Sequence, residues 1–123
     1  MSRFIIRAVN SGIKFDLNAP NGQAIATSEV YDSKAACLKG VESVRKIAAT
    51  AKLEDQTASD NRSLSHPKYE LYQDKSGAFR FRLKSRNGKI VAISEGYSTK
   101  AACENGIDSI RKNAPDAEVA EAD

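Results

Sequence analysis

Ile13, Phe15 and Leu17 alternate with Lys14, Asp16 and Asn18, and Phe79, Phe81 and Leu83 alternate with Arg80, Arg82 and Lys84. A period of two belongs to a strand with one buried and one solvated face, because successive side chains point to opposite sides. Asn21-Gly22 and Asn87-Gly88 follow. Asn-Gly is the favoured pair for a tight type I′ hairpin, since both residues tolerate positive φ. Return strands are therefore expected at Ile25 to Ser28 and Ile90 to Ser94. Phe4 to Val9 and Tyr69 to Gln73 pair with the alternating runs through turns at Ser11-Gly12 and Asp74 to Gly77, so each half of the chain is a three-stranded meander.

After Tyr31 and Tyr97 the period becomes helical. Cys37, Gly40, Val41, Val44 and Ala48 fall on one face, as do Cys103, Gly106, Ile107, Ile110 and Ala114. Asp32 or Ser33, and Ser98 or Thr99, supply capping oxygens at the helix starts. Arg45-Lys46 and Arg111-Lys112 complement the helix dipole in the last turns, and Pro115 stops the second helix. Glycine costs about 1 kcal/mol relative to alanine inside a helix. Gly40 and Gly106 on the buried faces therefore mark places where the helix backbone lies close against the sheet or the other helix.

The halves are copies of one unit. Residues 21–48 lie over 87–114 without a gap at an offset of 66, with 15 of 28 positions identical. Upstream the offset is 65, with Phe4 over Tyr69 and Ser11-Gly12 over Ser76-Gly77, and one residue is inserted after the glycine in the second copy. Between the copies runs the polar stretch Glu54 to Pro67, read as a flexible linker because it carries too little apolar surface to offset its ordering entropy. The organisation is a first repeat at 1–55, a linker at 56–67 and a second repeat at 68–123, both repeats sharing one core. A lone unit of about fifty residues buries too little surface for secure stability, so the copies are expected to associate about a pseudo-twofold axis in an α+β fold.

The pattern F-x-L-x-x-x-N-G, then S-E-x-Y, then an Ala-rich helix with N-G-I-x-S-x-x-K-N-A resembles that of the YegP-like proteins, small bacterial tandem-repeat proteins of uncharacterised function. It reads here Phe81 to Gly88, Ser94-Glu95-Gly96-Tyr97 and Asn105 to Ala114. The first copy matches through Phe15, Leu17, Asn21-Gly22 and Ser28-Glu29-Val30-Tyr31, but has Lys39-Gly40-Val41 in its helix and ends Ile47-Ala48. The resemblance implies three strands, a helix and a short final strand per repeat. It further implies one antiparallel sheet with two helices on one face and exchanged final strands, supplied by Lys52 to Asp55 and Glu118 to Glu121. The linker is longer than such tandem proteins usually need, and no activity comes with the resemblance.

Composition narrows the function classes. No apolar run approaches the ~20 residues of a membrane span, and Phe4-Ile5-Ile6 lacks the apolar core of a secretory signal, which places the chain in a bacterial-type cytoplasm. Two distant cysteines and one histidine, His66, exclude a Cys/His metal site, and no cofactor is implied. The isolated glycines Gly12, Gly22, Gly77 and Gly88 match no phosphate-loop spacing. His66 is expected in solvent, and the acidic tail Asp116 to Asp123 reads as a frayed terminus beyond a short strand.

A net charge of +3 is modest, so the placement of charge matters more than its sum. Arg80, Arg82, Lys84 and Arg86 are expected to project together from the open sheet face, with Tyr72 beside them on the neighbouring strand. Basic grooves with stacking aromatics hold single-stranded nucleic acid, whereas an exposed strand face also carries charge simply for solubility. The first copy has only Lys14, Asp16 and Asn18 at the matching positions. Ser28-Glu29 and Ser94-Glu95 have no base placed beside either serine, so Tyr31 and Tyr97 are read as anchoring the strand-to-helix turns while the serines and glutamates satisfy nearby backbone groups.

The expected function is a noncatalytic binding or interaction module, not an enzyme, with an unknown protein or nucleic-acid partner. The alternatives are single-stranded nucleic-acid binding through the second repeat and a structural protein whose sheet edges recruit another chain. With both repeats in one chain, a monomer is expected. Cys37 and Cys103 are expected to act as small core hydrophobes; rapid thiol labelling of the native protein would overturn that reading.

Overall fold

The computed structural model describes residues 2–59 and 63–122. The first repeat forms β1 (Arg3–Val9), β2 (Gly12–Asn18), β3 (Ala24–Thr27), α1 (Lys34–Ile47) and β4 (Lys52–Asp55). The second forms β5 (Lys68–Gln73), β6 (Phe79–Lys84), β7 (Ile90–Ser94), α2 (Lys100–Asn113), a short 3₁₀ turn (Ala114–Asp116) and β8 (Glu118–Glu121). Ser33 and Thr99 are the N-caps, accepting from the Ala36 and Ala102 backbone N–H at 3.1 Å.

The hairpin loops differ from the expected type I′ geometry. Gly22 N–H donates to Ala19 O and Ala19 N–H to Gln23 O, while Gly88 and Ser85 repeat the pattern with Lys89. Among the described residues positive φ falls only on glycines, Gly22 and Gly88 included. Asn21 and Asn87 instead accept from the backbone N–H two residues on. This is the three-residue loop in which a glycine in the left-handed region follows the turn, and the sheet register shifts beside it. The inserted residue of the second copy has a similar cause. Val9 pairs with Gly12 across a two-residue loop, whereas Asp74 N–H reaches Ala78 O across three.

All eight strands join one sheet in the order β4-β5-β6-β7-β3-β2-β1-β8. The sheet is mixed, not wholly antiparallel as expected, because β4 runs parallel to β5 and β8 parallel to β1. Parallel neighbours cannot be joined by a hairpin and need a connection of about a dozen residues, which residues 56–67 supply between β4 and β5. The length of that segment is thus set by the return path. At the centre β3 and β7 meet antiparallel, Ala26 opposite Ser94 and Thr27 opposite Ile93.

The reading of a flexible linker from Glu54 onward is corrected at its first residue. Glu54 lies in β4, is buried, and accepts the Leu64 backbone N–H at 2.6 Å, so the far side of the connection is tied to the strand before it. Residues 60–62 lie outside the described part of the chain.

The strand faces and helix faces of both copies merge into a single apolar core containing Phe4, Phe15, Leu17, Val41 and Val44 from one repeat and Tyr69, Phe81, Leu83, Ile107 and Ile110 from the other. Helix α1 touches β2 of its own repeat and β7 of the other, and α2 touches β6 and β3. Cys37 and Cys103 are free and fully buried in this core. Burial pushes both thiols upward, Cys103 to about 11, as their role of small hydrophobes requires.

Other side chains cross between the repeats. Arg45 lies over the Phe4 ring and donates to Ala117 O, and Arg111 lies over the Tyr69 ring and donates to Ala49 O. These arginines therefore bind specific carbonyls of the other repeat, beyond complementing their own helix dipoles. The Tyr69 hydroxyl donates to Ala48 O at 2.6 Å. Lys34 pairs with Glu121, and Lys100 with Asp55.

The helix glycines accommodate a ring and not a second backbone. Tyr31 exchanges both backbone hydrogen bonds with Ile13, and its ring stacks on Phe15 with centroids 6.4 Å apart. Its hydroxyl end lies where a Cβ on Gly40 would stand, and Tyr97, Phe81 and Gly106 repeat the arrangement. Adding the methyl in Gly40→Ala gains helix propensity of about 1 kcal/mol but overpacks the site, which costs about 1–3 kcal/mol. Urea denaturation is expected to show a net loss of stability, and Tyr31→Leu in the same chain is expected to recover part of it. A stabilised Gly40→Ala would show that the ring does not fix the helix.

Candidate functional site

The basic row anticipated on β6 is present on the open face, but its charges are largely engaged. Arg80 Nε lies 2.7 Å from Asp74 Oδ2, and its Nη1 reaches Ser94 O at 3.4 Å. Arg82 Nε is bound to Glu70 Oε1, and Lys84 Nζ lies 3.3 Å from the same oxygen. The Arg82 guanidinium also stands over the Tyr72 ring, 4.4 Å from its centroid, so the expected aromatic neighbour is there. Arg86 leaves the row: it is exposed in the loop after β6 and lines a shallow depression with Ser43, Lys46 and Ile47 of α1. The structure thus brings Tyr72, Arg80, Arg82 and Lys84 together and separates Arg86 from them.

Beneath the row is a buried ion cluster that the sequence pattern did not reveal. Lys68 Nζ lies 2.7 Å from Glu54 Oε1 and 3.1 Å from Glu70 Oε2. All three residues are buried. Burial pushes the Glu54 carboxyl upward, but hydrogen bonds from Gln56, Lys68 and the Leu64 N–H, with the Lys68 charge, outweigh it and bring the group down to about 2. For Glu70 burial is likewise outweighed, by Arg82, Lys68 and Lys84, and its carboxyl is also held low. Asp74 is lowered chiefly by hydrogen bonds from Ser76 and Arg80. Glu54 arrives from the strand of the other repeat, and only the sheet order puts it beside Lys68 and Glu70.

A concavity lies elsewhere on the open face, above the junction of β3 and β7. It is a groove of about 620 Å³ whose floor includes Thr27 and Ile93. Arg7, Lys14 and Asp16 flank it on one side and Arg80 on the other, while the Ser28-Glu29-Val30 and Ser94-Glu95-Gly96 segments close it. Arg7 Nε is 2.8 Å from Asp16 Oδ2, and the Thr27 hydroxyl donates to Asp16 Oδ1 at 2.7 Å. Lys14, Glu29 and Glu95 make no ion pair among the described residues. Sequence reasoning missed the groove. Its signal was the repeat itself, since Lys14 with Arg80 and Glu29 with Glu95 are equivalent pairs at an offset of 66.

The Ser-Glu-x-Tyr segments divide their work differently from expectation. Ser28 Oγ accepts the Phe15 N–H at 2.9 Å and donates to Glu29 O, and Ser94 Oγ does the same with the Phe81 N–H and Glu95 O. The serines are occupied by backbone, as anticipated. The two glutamate side chains satisfy no backbone group and instead stand exposed at the groove. His66 is exposed beside Gly88, and the hydrogen bonds of the two serines go to other residues. Among the described residues no cluster of metal-ligating side chains occurs and no helix is long and apolar enough to cross a membrane.

The family described as a domain of unknown function, DUF1508, matches residues 8–55 and again 74–121. Over 108 residues the chain is 39% identical to a UPF0339 protein "in ptx operon 5'region" of Stutzerimonas stutzeri, covering 88% of this chain and 84% of that protein. Identity to the UPF0339 protein YegP of Yersinia pestis is 34% over 109 residues, 89% of this chain and 84% of the other. The solution NMR structure of yegP from E. coli, a protein of unknown function, superposes with a TM-score of 0.80 at 30% identity, covering 98% of this chain and 91% of that one.

Removing Lys68 leaves two buried carboxylates without their shared cation, so Lys68→Met is expected to cost about 3–5 kcal/mol in chemical denaturation. Because the folded-state carboxyl of Glu54 sits below its ordinary 4.5, its contribution is complete above that pH and is lost as pH falls from about 4.5 towards 2. Urea midpoints should fall across that window, and less steeply in Glu54→Gln; equal slopes in both proteins would contradict the assignment.

Proposed function

The chain belongs to the DUF1508 family of domains of unknown function; we propose that it is a noncatalytic binding module whose site is the central groove. The observation that carries this reading is the contrast between the two charged surfaces. On β6 each cation of the row already has an acidic partner, whereas Lys14, Glu29 and Glu95 face the groove without one among the described residues. Unpartnered charges around a concavity are free to meet a ligand; paired ones must first give up their partners. Both serines beside the groove hold backbone groups, which supports binding over nucleophilic chemistry.

The finer arrangement belongs to the same proposal. The chain acts as a monomer whose two repeats, 1–55 and 68–123, are related by a pseudo-twofold and exchange their final strands. The pairing of Thr27 with Ile93, equivalent positions of the two copies, supports an axis passing between them, and the parallel pairings of β4 with β5 and β8 with β1 support the exchange.

The stack of Arg82 on Tyr72 favours a second reading, single-stranded nucleic acid held on Tyr72, Arg80, Arg82 and Lys84. Glu70 and Asp74 weigh against it, since phosphate must displace carboxylates already bound to those cations. Fluorescence anisotropy with single-stranded DNA and RNA at low and moderate salt separates the two. The groove reading expects no micromolar binding with a steep salt slope; such binding, abolished by Arg80→Glu with Arg82→Glu, would transfer the site to β6.

A further inference from the structure

We propose that the groove takes a short zwitterionic peptide, with an acidic group held by Lys14 and its basic groups by Glu29 and Glu95 in turn; this rests on the groove being the binding site. The argument is one of charge complementarity. Arg7 and Asp16 hold each other, and Arg80 holds Asp74 outside the groove. What remains is one ammonium and two carboxylates, contributed by both repeats. A purely anionic ligand meets Glu29 and Glu95; a purely cationic one meets Lys14, Arg7 and Arg80. A molecule bearing both signs satisfies the residual charges of each kind.

Shape and surface agree. A concavity of about 620 Å³ lies within the range of roughly 300–1,000 Å³ that takes a small organic ligand, and it has apolar as well as charged walls. Val30 is 44% exposed at its margin, and Ile93 lies in its floor, positions suited to an aliphatic side chain between two charged ones.

The test is titration of the whole chain, followed by ¹H–¹⁵N NMR, with the tripeptide Lys-Val-Glu, with an acetylated Val-Glu anion, with a Lys-Val-amide cation and with inorganic phosphate. The tripeptide is expected to shift the amides of Thr27, Glu29, Ile93 and Glu95, and each probe carrying charge of one sign alone to bind at least about fivefold more weakly, as does the tripeptide to Lys14→Gln or to Glu29→Gln with Glu95→Gln. These positions are surface ones, and unchanged spectra of the free variants establish that they fold. If phosphate or the anion shifts the same amides as strongly as the tripeptide, the groove remains the site and the zwitterionic ligand is wrong. If no probe shifts the groove amides, the ligand and the groove reading fall together.

Discussion

Strands β3 and β7 meet over two residue pairs, Ala26 with Ser94 and Thr27 with Ile93, and that short seam converts two three-stranded meanders into one sheet. A unit of about fifty residues buries a smaller share of its surface than a larger domain and is correspondingly marginal. Once the seam forms, α1 reaches β7 and α2 reaches β3, and the two half-cores become one. The outer strands then complete the sheet, β4 beside β5 and β8 beside β1, while Arg45 and Arg111 bind carbonyls of the opposite repeat. The same seam makes the groove, because the segments leaving β3 and β7 stand on either side of it.

Within each repeat a tyrosine ring sets the helix on the sheet. Backbone bonds to the second strand fix the tyrosine, stacking on a phenylalanine fixes its ring, and the absence of a side chain on the helix glycine admits the hydroxyl end. Glycine's unfavourable helix propensity is offset by this close fit. The arrangement holds in both copies, so it is a property of the unit and not of either repeat's surface.

Electrostatics is where the copies part. Asp16 in the first repeat and Arg82 in the second occupy matching strand positions, and each finds an opposite charge, Arg7 in one case and Glu70 in the other. Beside Glu70, Lys68 of the second repeat meets Glu54 of the first in a buried cluster, and Glu54 ties the connection after β4 through Leu64. Charge that looks like a nucleic-acid surface when read along one strand is therefore largely structural once the neighbouring strand is beside it.

The repeat, the three strands and helix of each copy and the buried faces were legible in the sequence, because each depends on self-similarity or on periodicities spanning only a few residues, whereas the choice of Ser33 and Thr99 over Asp32 and Ser98 as caps came from the backbone. The resemblance to a repeat family, and not local spacing, pointed to β4 and β8 at Lys52–Asp55 and Glu118–Glu121. It could not give their direction, since parallel pairing depends on the path of residues 56–67 and on a partner more than a hundred residues away for β8. The Asn-Gly turns were located but mistyped, because the residues at Ala19 and Ser85 that close the three-residue loops act with the sheet register. The groove, the cation–carboxylate pairing of Arg80, Arg82 and Lys84, and the separation of Arg86 were decided only by tertiary structure. Each depends on which strand lies next to which, and a one-dimensional pattern of charges does not contain the acids that the fold brings alongside.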